Sequence, residues 1–392
     1  MHYHHRRRQE GWEEAPIMVW LDGGPGLSSL FSLFFMHGPF TLNADLELLP
    51  REHTCVKTLN VIYIDNPVCA GHLSASGFSY TGHIDGIPRD QVHVGSDLYS
   101  SLTQLLSMFP EIKDNNLFVA GHSYAALLSF PSPDSWRPTS EFYFITIDQY
   151  RSTSSGIVIG SGVVDPESHI NYGDMMYVLG LVDEKEKRYF KAQTELALSL
   201  VRRGDLIMAQ KVVGSLMGLD MGMSYYERLV GQKNTLNFVV DEDLSVETSY
   251  MEGYVSQPYV RRSLHVGNKT FHPIHILGKY FKADVMRSTK PWVEEMLNNS
   301  VKVMMYNGQL ELSMPYSSHE MLARTLHWGH GEEYLHAPRQ AWNVEGQLAG
   351  YVREARGLVR VSVRCAGHTG GLQQPHWMFD MFTRFMTRDT FL

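Results

Sequence analysis

Cysteine is scarce in this chain: 392 residues hold three, Cys55, Cys69 and Cys365. Three thiols allow one disulfide at most, and no pair has metal-ligand spacing, so neither a disulfide framework nor a zinc site is expected. Long hydrophobic runs are missing as well. No stretch approaches the ~18 continuous apolar residues of a spanning helix. The opening MHYHHRRRQEGWEEAP is charged and lacks an apolar h-region, so no signal peptide is visible in this chain. Its His2, His4 and His5 read as part of a loose polar tail. Excess basic charge is absent too. Lys+Arg 34 against Asp+Glu 42 gives a net charge of −8 and no basic face, which argues against nucleic acid as a partner. No internal repeat and no long low-complexity tract interrupts the sequence.

What is present is an ordinary globular balance, 43% hydrophobic and 19% charged. Short apolar, β-branched segments recur along the chain: PIMVWLDGG (16–24), LNVIYIDNP (59–67), NLFVAG (116–121), SSGIVIGSG (154–162), VKVMMYNGQ (301–309) and LVRVSVRCAGH (358–368). Each reads as a buried strand stopped by glycine, asparagine or proline. Helical spacing appears in DLYSSLTQLLSMFPEI (97–112) and in the closing WMFDMFTRFM (377–386). Buried strands alternating with helices predict an α/β fold with a mostly parallel central sheet and helices on both faces. Residues 183–219 carry helical periodicity and no strand signal. The expected organisation is therefore a core from 1–174 and 266–392, with 175–265 as a helical insertion or cap. Residues 129–140, rich in proline and serine, read as a loop.

One short stretch carries chemistry. Gly121-His-Ser123-Tyr-Ala125 stands between a strand and a helix-like run, the context of a nucleophile elbow. The turn is sharp, so the residues two before and two after the serine must be small, as Gly121 and Ala125 are. A serine hydroxyl is a weak nucleophile without a base, and the base needs a carboxylate to fix its tautomer. In such folds the chain order is Ser, acid, His. Glu311 and His368 each follow a late strand in that order, at the edge where α/β sheets build sites. An oxyanion would need backbone N–H donors. The glycine-lined turn Asp22-Gly-Gly-Pro-Gly26 and the amide of Tyr124 could supply them.

Together these segments resemble the serine carboxypeptidases, in particular their vitellogenic branch. WLDGGPGLSS matches that family's Trp-Leu-(Asn/Gln)-Gly-Gly-Pro-Gly turn, and GHSYAA its Gly-Glu-Ser-Tyr-Ala-Gly. NVIYIDNPV, GIVIGSGVVDPES, LGLVDEKEKRYF, KPWVEEMLNN, VMMYNGQLE and AGYVREARGLVRVSVRCAGHTGGLQQP follow in family order. The resemblance spans about 16–126 and 154–388. It implies an α/β-hydrolase fold and the removal of C-terminal residues from peptides at acid pH, in lysosomes or outside cells. Asn268-Lys-Thr270 and Asn298-Asn-Ser300 fit glycosylation acceptors on such a route. The resemblance assigns Ser123 as nucleophile, His368 as base, Glu311 as triad acid, and the Gly24 and Tyr124 amides as oxyanion hole. It assigns Asp22, Gly23 and His122 to the substrate's C-terminal carboxylate. It implies a peptide partner with a free C-terminus, a homodimer, no cofactor and no metal.

Several positions depart from the family pattern. Glu311 stands for its aspartate. Asp22 and His122 stand for its amide and glutamate. An ionised Asp22 would repel a carboxylate and a protonated His122 would attract it, so His122 is the expected anion contact at acid pH. Residues 127–153 match nothing in the family, Pro131 and Pro133 cut the helix behind the serine short, and CAGHLSAS (69–76) reads as an insertion. The family's first strands are not expected in this chain. A catalytically impaired peptide-binding relative and an esterase or acyltransferase on the same triad are the alternative readings.

Overall fold

In a computed structural model, residues 2–6, 11–67, 76–81, 83, 86–129, 156–218, 222–241, 244–272 and 280–392 are described. Cys69, the expected insertion at 69–76 apart from Ser76, and residues 130–153 lie outside them. Among the described residues are eleven strands: β1 His2–Arg6, β2 Ile17–Leu21, β3 Phe40–Leu42, β4 Leu48–Pro50, β5 Asn60–Asp65, β6 Leu117–His122, β7 Gly156–Gly160, β8 Lys302–Gly308, β9 Gln340–Val344, β10 Gln347–Ala355 and β11 Leu358–Val363. Nine form one sheet in the order β1-β5-β2-β6-β7-β8-β11-β10-β9, and β3 and β4 make a small hairpin. The six strands from β5 to β11 run parallel. At the two edges, β1 and the β9–β10 pair run antiparallel.

Two sequence expectations change here. The polar N-terminus forms an edge strand, with His2 in register with Asp65 and Arg6 with Val61, instead of a loose tail. An edge strand needs ladder hydrogen bonds on one side only, so polar composition does not forbid it. That strand also precedes β2, where no earlier strand is expected. The β9 and β10 strands were not separately anticipated, because their alternation of exposed and buried residues is interrupted by a register shift between Leu348 and Gly350.

The parallel strands are apolar on both faces because both are covered. Along β2 the period of two sends Met18 and Trp20 one way and Ile17, Val19 and Leu21 the other. The first face packs on Met378, Met381, Phe382 and Phe385 of the helix Pro375–Thr387. The second packs on Val94, Leu98, Leu102 and Leu105 of the helix Gln91–Met108, capped by the Asp90 carboxylate accepting from His93 N. Further along that second face, Val293, Leu297 and Leu322 cover β7 and β8.

Between β7 and β8 the described helices include Gly173–Val178, Glu184–Arg202, Leu206–Met217, Tyr225–Val230, Ser245–Val255 and Pro258–Ser263. Asp183 caps the longest by accepting from Lys185 N and Glu186 N, and Gly218 ends the next at φ 89°, where a side chain would be strained. The first four bury a cluster of their own around Phe190, Ala197, Val213 and Tyr226. Among the described residues no helix is long and apolar enough to cross a membrane.

Candidate active site

The strand β6 ends in a forced turn. Ser123 follows it at φ 59°, a left-handed conformation that a non-glycine residue adopts only when its surroundings impose it. The residues beyond form a short 3-10 turn, Ser123–Ser129, in place of a full helix. Gly121 sits so close to the Ala125 carbonyl and Ala126 that no Cβ fits there. Gly23, from the turn after β2, is equally confined. A Cβ on it would stand 2.6 Å from Ser123 Cβ and 2.9 Å from Tyr124 N. The glycine turn is thus seated against the elbow, and that contact requires glycine.

Asp22, Gly23, Gly24, His122, Ser123, Tyr124 and His368 all line one cavity of about 300 Å³. Its remaining wall is mostly apolar, with Phe31, Ile170, Val213, Met286 and Met314. Glu311 lies behind the cavity, fully buried. Its Oε1 accepts from His368 Nδ1 at 2.5 Å and from Met314 N at 3.1 Å, and its Oε2 accepts from Ser161 Oγ at 2.6 Å. Three donors satisfy the carboxylate, so the extra methylene of glutamate is accommodated. Donation from Nδ1 leaves Nε2 of His368 as the basic nitrogen. The Ser123 hydroxyl makes no hydrogen bond to that ring in this structure, as is common before a substrate tightens an apo site. The backbone holds the histidine from another side: His368 N donates to Leu236 O at 2.7 Å, from the segment joining two helices of the insert.

Three contributors were not picked out from the sequence. Ser161, at φ 44° just past β7, shares the sheet edge with the other site residues; that position was its only signal. Gln91 and Asp284 hold the ring of Tyr124. Its hydroxyl donates to Asp284 Oδ2 at 2.7 Å and accepts from Gln91 Nε2 at 2.5 Å, while Gln91 Nε2 also reaches Asp284 Oδ2 at 2.6 Å. Nothing local in the sequence marks a contact between residues 124 and 284.

The pair at 22 and 122 departs from expectation. His122 Nε2 lies 2.9 Å from the carbonyl oxygen of His368. A carbonyl only accepts, so that nitrogen carries the proton. Burial, reinforced by the imidazole of His368, pushes the His122 pKa well below the usual range. Burial thus opposes the cationic form expected of His122 as an anion contact, and its Nε2–H is already given to a backbone carbonyl. Asp22 moves the other way. Burial raises its carboxyl to about 7, against the lowering hydrogen bonds from Ser32. Ser32 Oγ donates to Oδ1 at 2.9 Å and Ser32 N to Oδ2 at 3.2 Å. Asp22 Oδ1 and His122 Nδ1 stand 4.0 Å apart, both buried.

An acute serine turn on a mostly parallel sheet, with a carboxylate-bound histidine over the same cavity, defines an α/β hydrolase. The solved structure of a prohormone-processing carboxypeptidase from Saccharomyces cerevisiae, KEX1(delta)p, shares this fold. It aligns with a TM-score of 0.74 at 20% identity, covering 97% of this chain and 86% of the yeast one. The family model for serine carboxypeptidases matches residues 1–388, and the chain belongs to that family of peptidases. It is 35% identical to the human protein titled "Probable serine carboxypeptidase CPVL", over 95% of this chain and 77% of the relative. It is 34% identical to the venom serine carboxypeptidase of Apis mellifera (95% and 78%) and 32% to the vitellogenic carboxypeptidase of Aedes aegypti (95% and 77%).

Proposed function

We propose that this chain removes C-terminal residues from peptides by acyl transfer through Ser123. His368 Nε2 takes the hydroxyl proton as Oγ attacks the scissile carbonyl. The Gly24 and Tyr124 amides receive the resulting oxyanion. His368 then passes the proton to the leaving nitrogen, and the C-terminal amino acid departs. Water, deprotonated by the same imidazole, hydrolyses the acyl-enzyme and restores Ser123. Glu311 holds the imidazole tautomer and stabilises its charged form. The single observation that supports this reading most is the Glu311–His368 hydrogen bond of 2.5 Å behind a cavity that also receives a left-handed Ser123.

The substrate's terminal carboxylate is bound by Asp22 in its protonated form. A neutral carboxyl group can donate where the family pattern has an amide; an ionised one repels. His122 supports the site by fixing the His368 backbone. The helical residues 175–265 act as a cap over the core. A working range below pH 7 suits an acidic compartment, lysosomal or extracellular. Two chains associate as a homodimer, by analogy with the family.

The test is release of C-terminal amino acids from a series of blocked dipeptides at pH 5 and 7, with Ser123→Ala as control and fluorophosphonate labelling of Ser123 alongside. Release that depends on Ser123 is expected. Labelling with ester cleavage but no peptide cleavage would favour an esterase or acyltransferase. Neither labelling nor release would leave a peptide-binding relative.

A further inference from the structure

We propose that Lys282 selects acidic side chains, by placing an ammonium on the cavity wall where the side-chain carboxylate of a bound peptide's C-terminal or penultimate residue comes to rest. This deepens the peptidase reading: it rests on the cavity being a peptide site, not on the reaction carried out there.

Lys282 lines the same cavity as Ser123 and His368, and it is half-buried. A lysine in that setting lays its methylenes along apolar neighbours and keeps its ammonium where water or an anion can reach it. Among the described residues that line the cavity it is the only lysine or arginine. Its place on the chain is fixed from both sides. Phe281 before it is fully buried, with its ring edge-on to that of Tyr124 at a centroid distance of 5.7 Å. Asp284 after it is buried too, and its carboxylate accepts from the Tyr124 hydroxyl and the Gln91 side-chain amide. Arg287 lies 3.7 Å from the same carboxylate. Val285 N donates back to Phe281 O at 3.1 Å, which closes the turn around Lys282. Both anchors therefore tie this turn to the residue that follows the nucleophile.

Asp22 is the only carboxyl group among the described lining residues, and burial raises it to about 7. Glu311 stands behind the wall, its oxygens held by Ser161, Met314 and His368. Below that pH a carboxylate entering the cavity meets an ammonium on the wall and no ionised acid there. Much of the remaining wall is apolar, with Ile170, Val213, Met286 and Met314. A carboxylate loses hydration in such surroundings, and a charge-assisted hydrogen bond to an ammonium offsets that loss. An uncharged amide of the same shape forfeits the charge part of that bond, and a cationic side chain is repelled.

The test uses glutamate and glutamine, which match in size and differ in charge. Blocked dipeptides carry one or the other at the C-terminal or the penultimate residue. Their binding to Ser123→Ala protein is measured by calorimetry at pH 6, where a free glutamate side chain is ionised, and their turnover by the unmodified chain is followed separately. At one of the two positions glutamate is expected to bind about tenfold more tightly. Lys282→Met should bring that ratio to near one, with Lys282→Gln as the second neutral variant should the first not fold. Lys282→Glu should favour a lysine side chain over glutamate at the same position. Equal binding of glutamate and glutamine at both positions, or a preference that survives the neutral variants, would overturn the proposal. So would an equal loss of both peptides in Lys282→Met, which would put the ammonium on the terminal carboxylate instead. Failure of every peptide to bind would overturn it together with the peptide-site reading. A glutamate preference without turnover would reject the proposed reaction and retain the pocket, and turnover without a preference would do the reverse.

Discussion

Two buried carboxyl groups, Asp22 lining the cavity and Glu311 behind it, meet different sets of donors. Glu311 receives a hydroxyl, a backbone amide and an imidazole as donors. Asp22 is held by the hydroxyl and amide of Ser32, and burial outweighs these bonds and the nearby Trp20 ring, lifting it to about 7. Burial alone therefore does not assign a role. The donors brought to each group set how far burial disfavours its charge.

The largest expected effect breaks the catalytic side. Ser123→Ala should lower kcat by about 10⁶-fold while dipeptide binding persists, read by single-turnover kinetics and calorimetry. Next comes Glu311→Gln, which keeps the size of the side chain but not its charge. It should reduce kcat by about 10⁴-fold with little change in KM.

The recognition side is tested by pH. In the proposed role of Asp22, its carboxyl, raised to about 7, donates below that pH and repels the substrate's carboxylate above it. KM for free-carboxylate peptides should therefore rise up to about tenfold per pH unit above 7, and KM for C-terminally amidated analogues should not. Asp22→Asn should flatten that rise. A KM profile for Asp22→Asn that still climbs above pH 7 would assign the titration to another group. The same shift predicts a stability effect. The folded pKa is raised above the ordinary 3.8, so the carboxyl ionises more readily once unfolded, and stability declines as pH rises from about 4 to about 7. Thermal denaturation of Asp22→Asn should show a gain at pH 8 and none at pH 4. The smallest effect is expected from Ser161→Ala, which removes one of three donors to Glu311. It should lower kcat by roughly tenfold, with the pH profile displaced because the Glu311–His368 pair is less well held.

Much of this was legible in local patterns. The six parallel strands appear as apolar runs because burial on two faces leaves them no polar side. Gly121, Ser123 and Ala125 are readable because a sharp turn tolerates few residue types. The strand at His2–Arg6 was not, since its order comes from pairing with β5 and not from its own composition. The Tyr124–Gln91–Asp284 contact was not either: its members lie 33, 160 and 193 residues apart, and no local spacing records them. The surroundings of His122 were hidden for a related reason. A histidine after a strand looks titratable until the carbonyl of His368 is found on its ring and solvent is excluded around it.

By itself, the sequence determined a parallel α/β sheet, a serine at an acute turn, and an acid and a histidine in the order such sites use, because these depend on steric limits and short-range periodicity. The tertiary structure alone decided which partners meet each histidine nitrogen and each buried carboxyl group. Those choices follow from desolvation and from donors contributed by distant segments, and both exist only once the chain has closed around them.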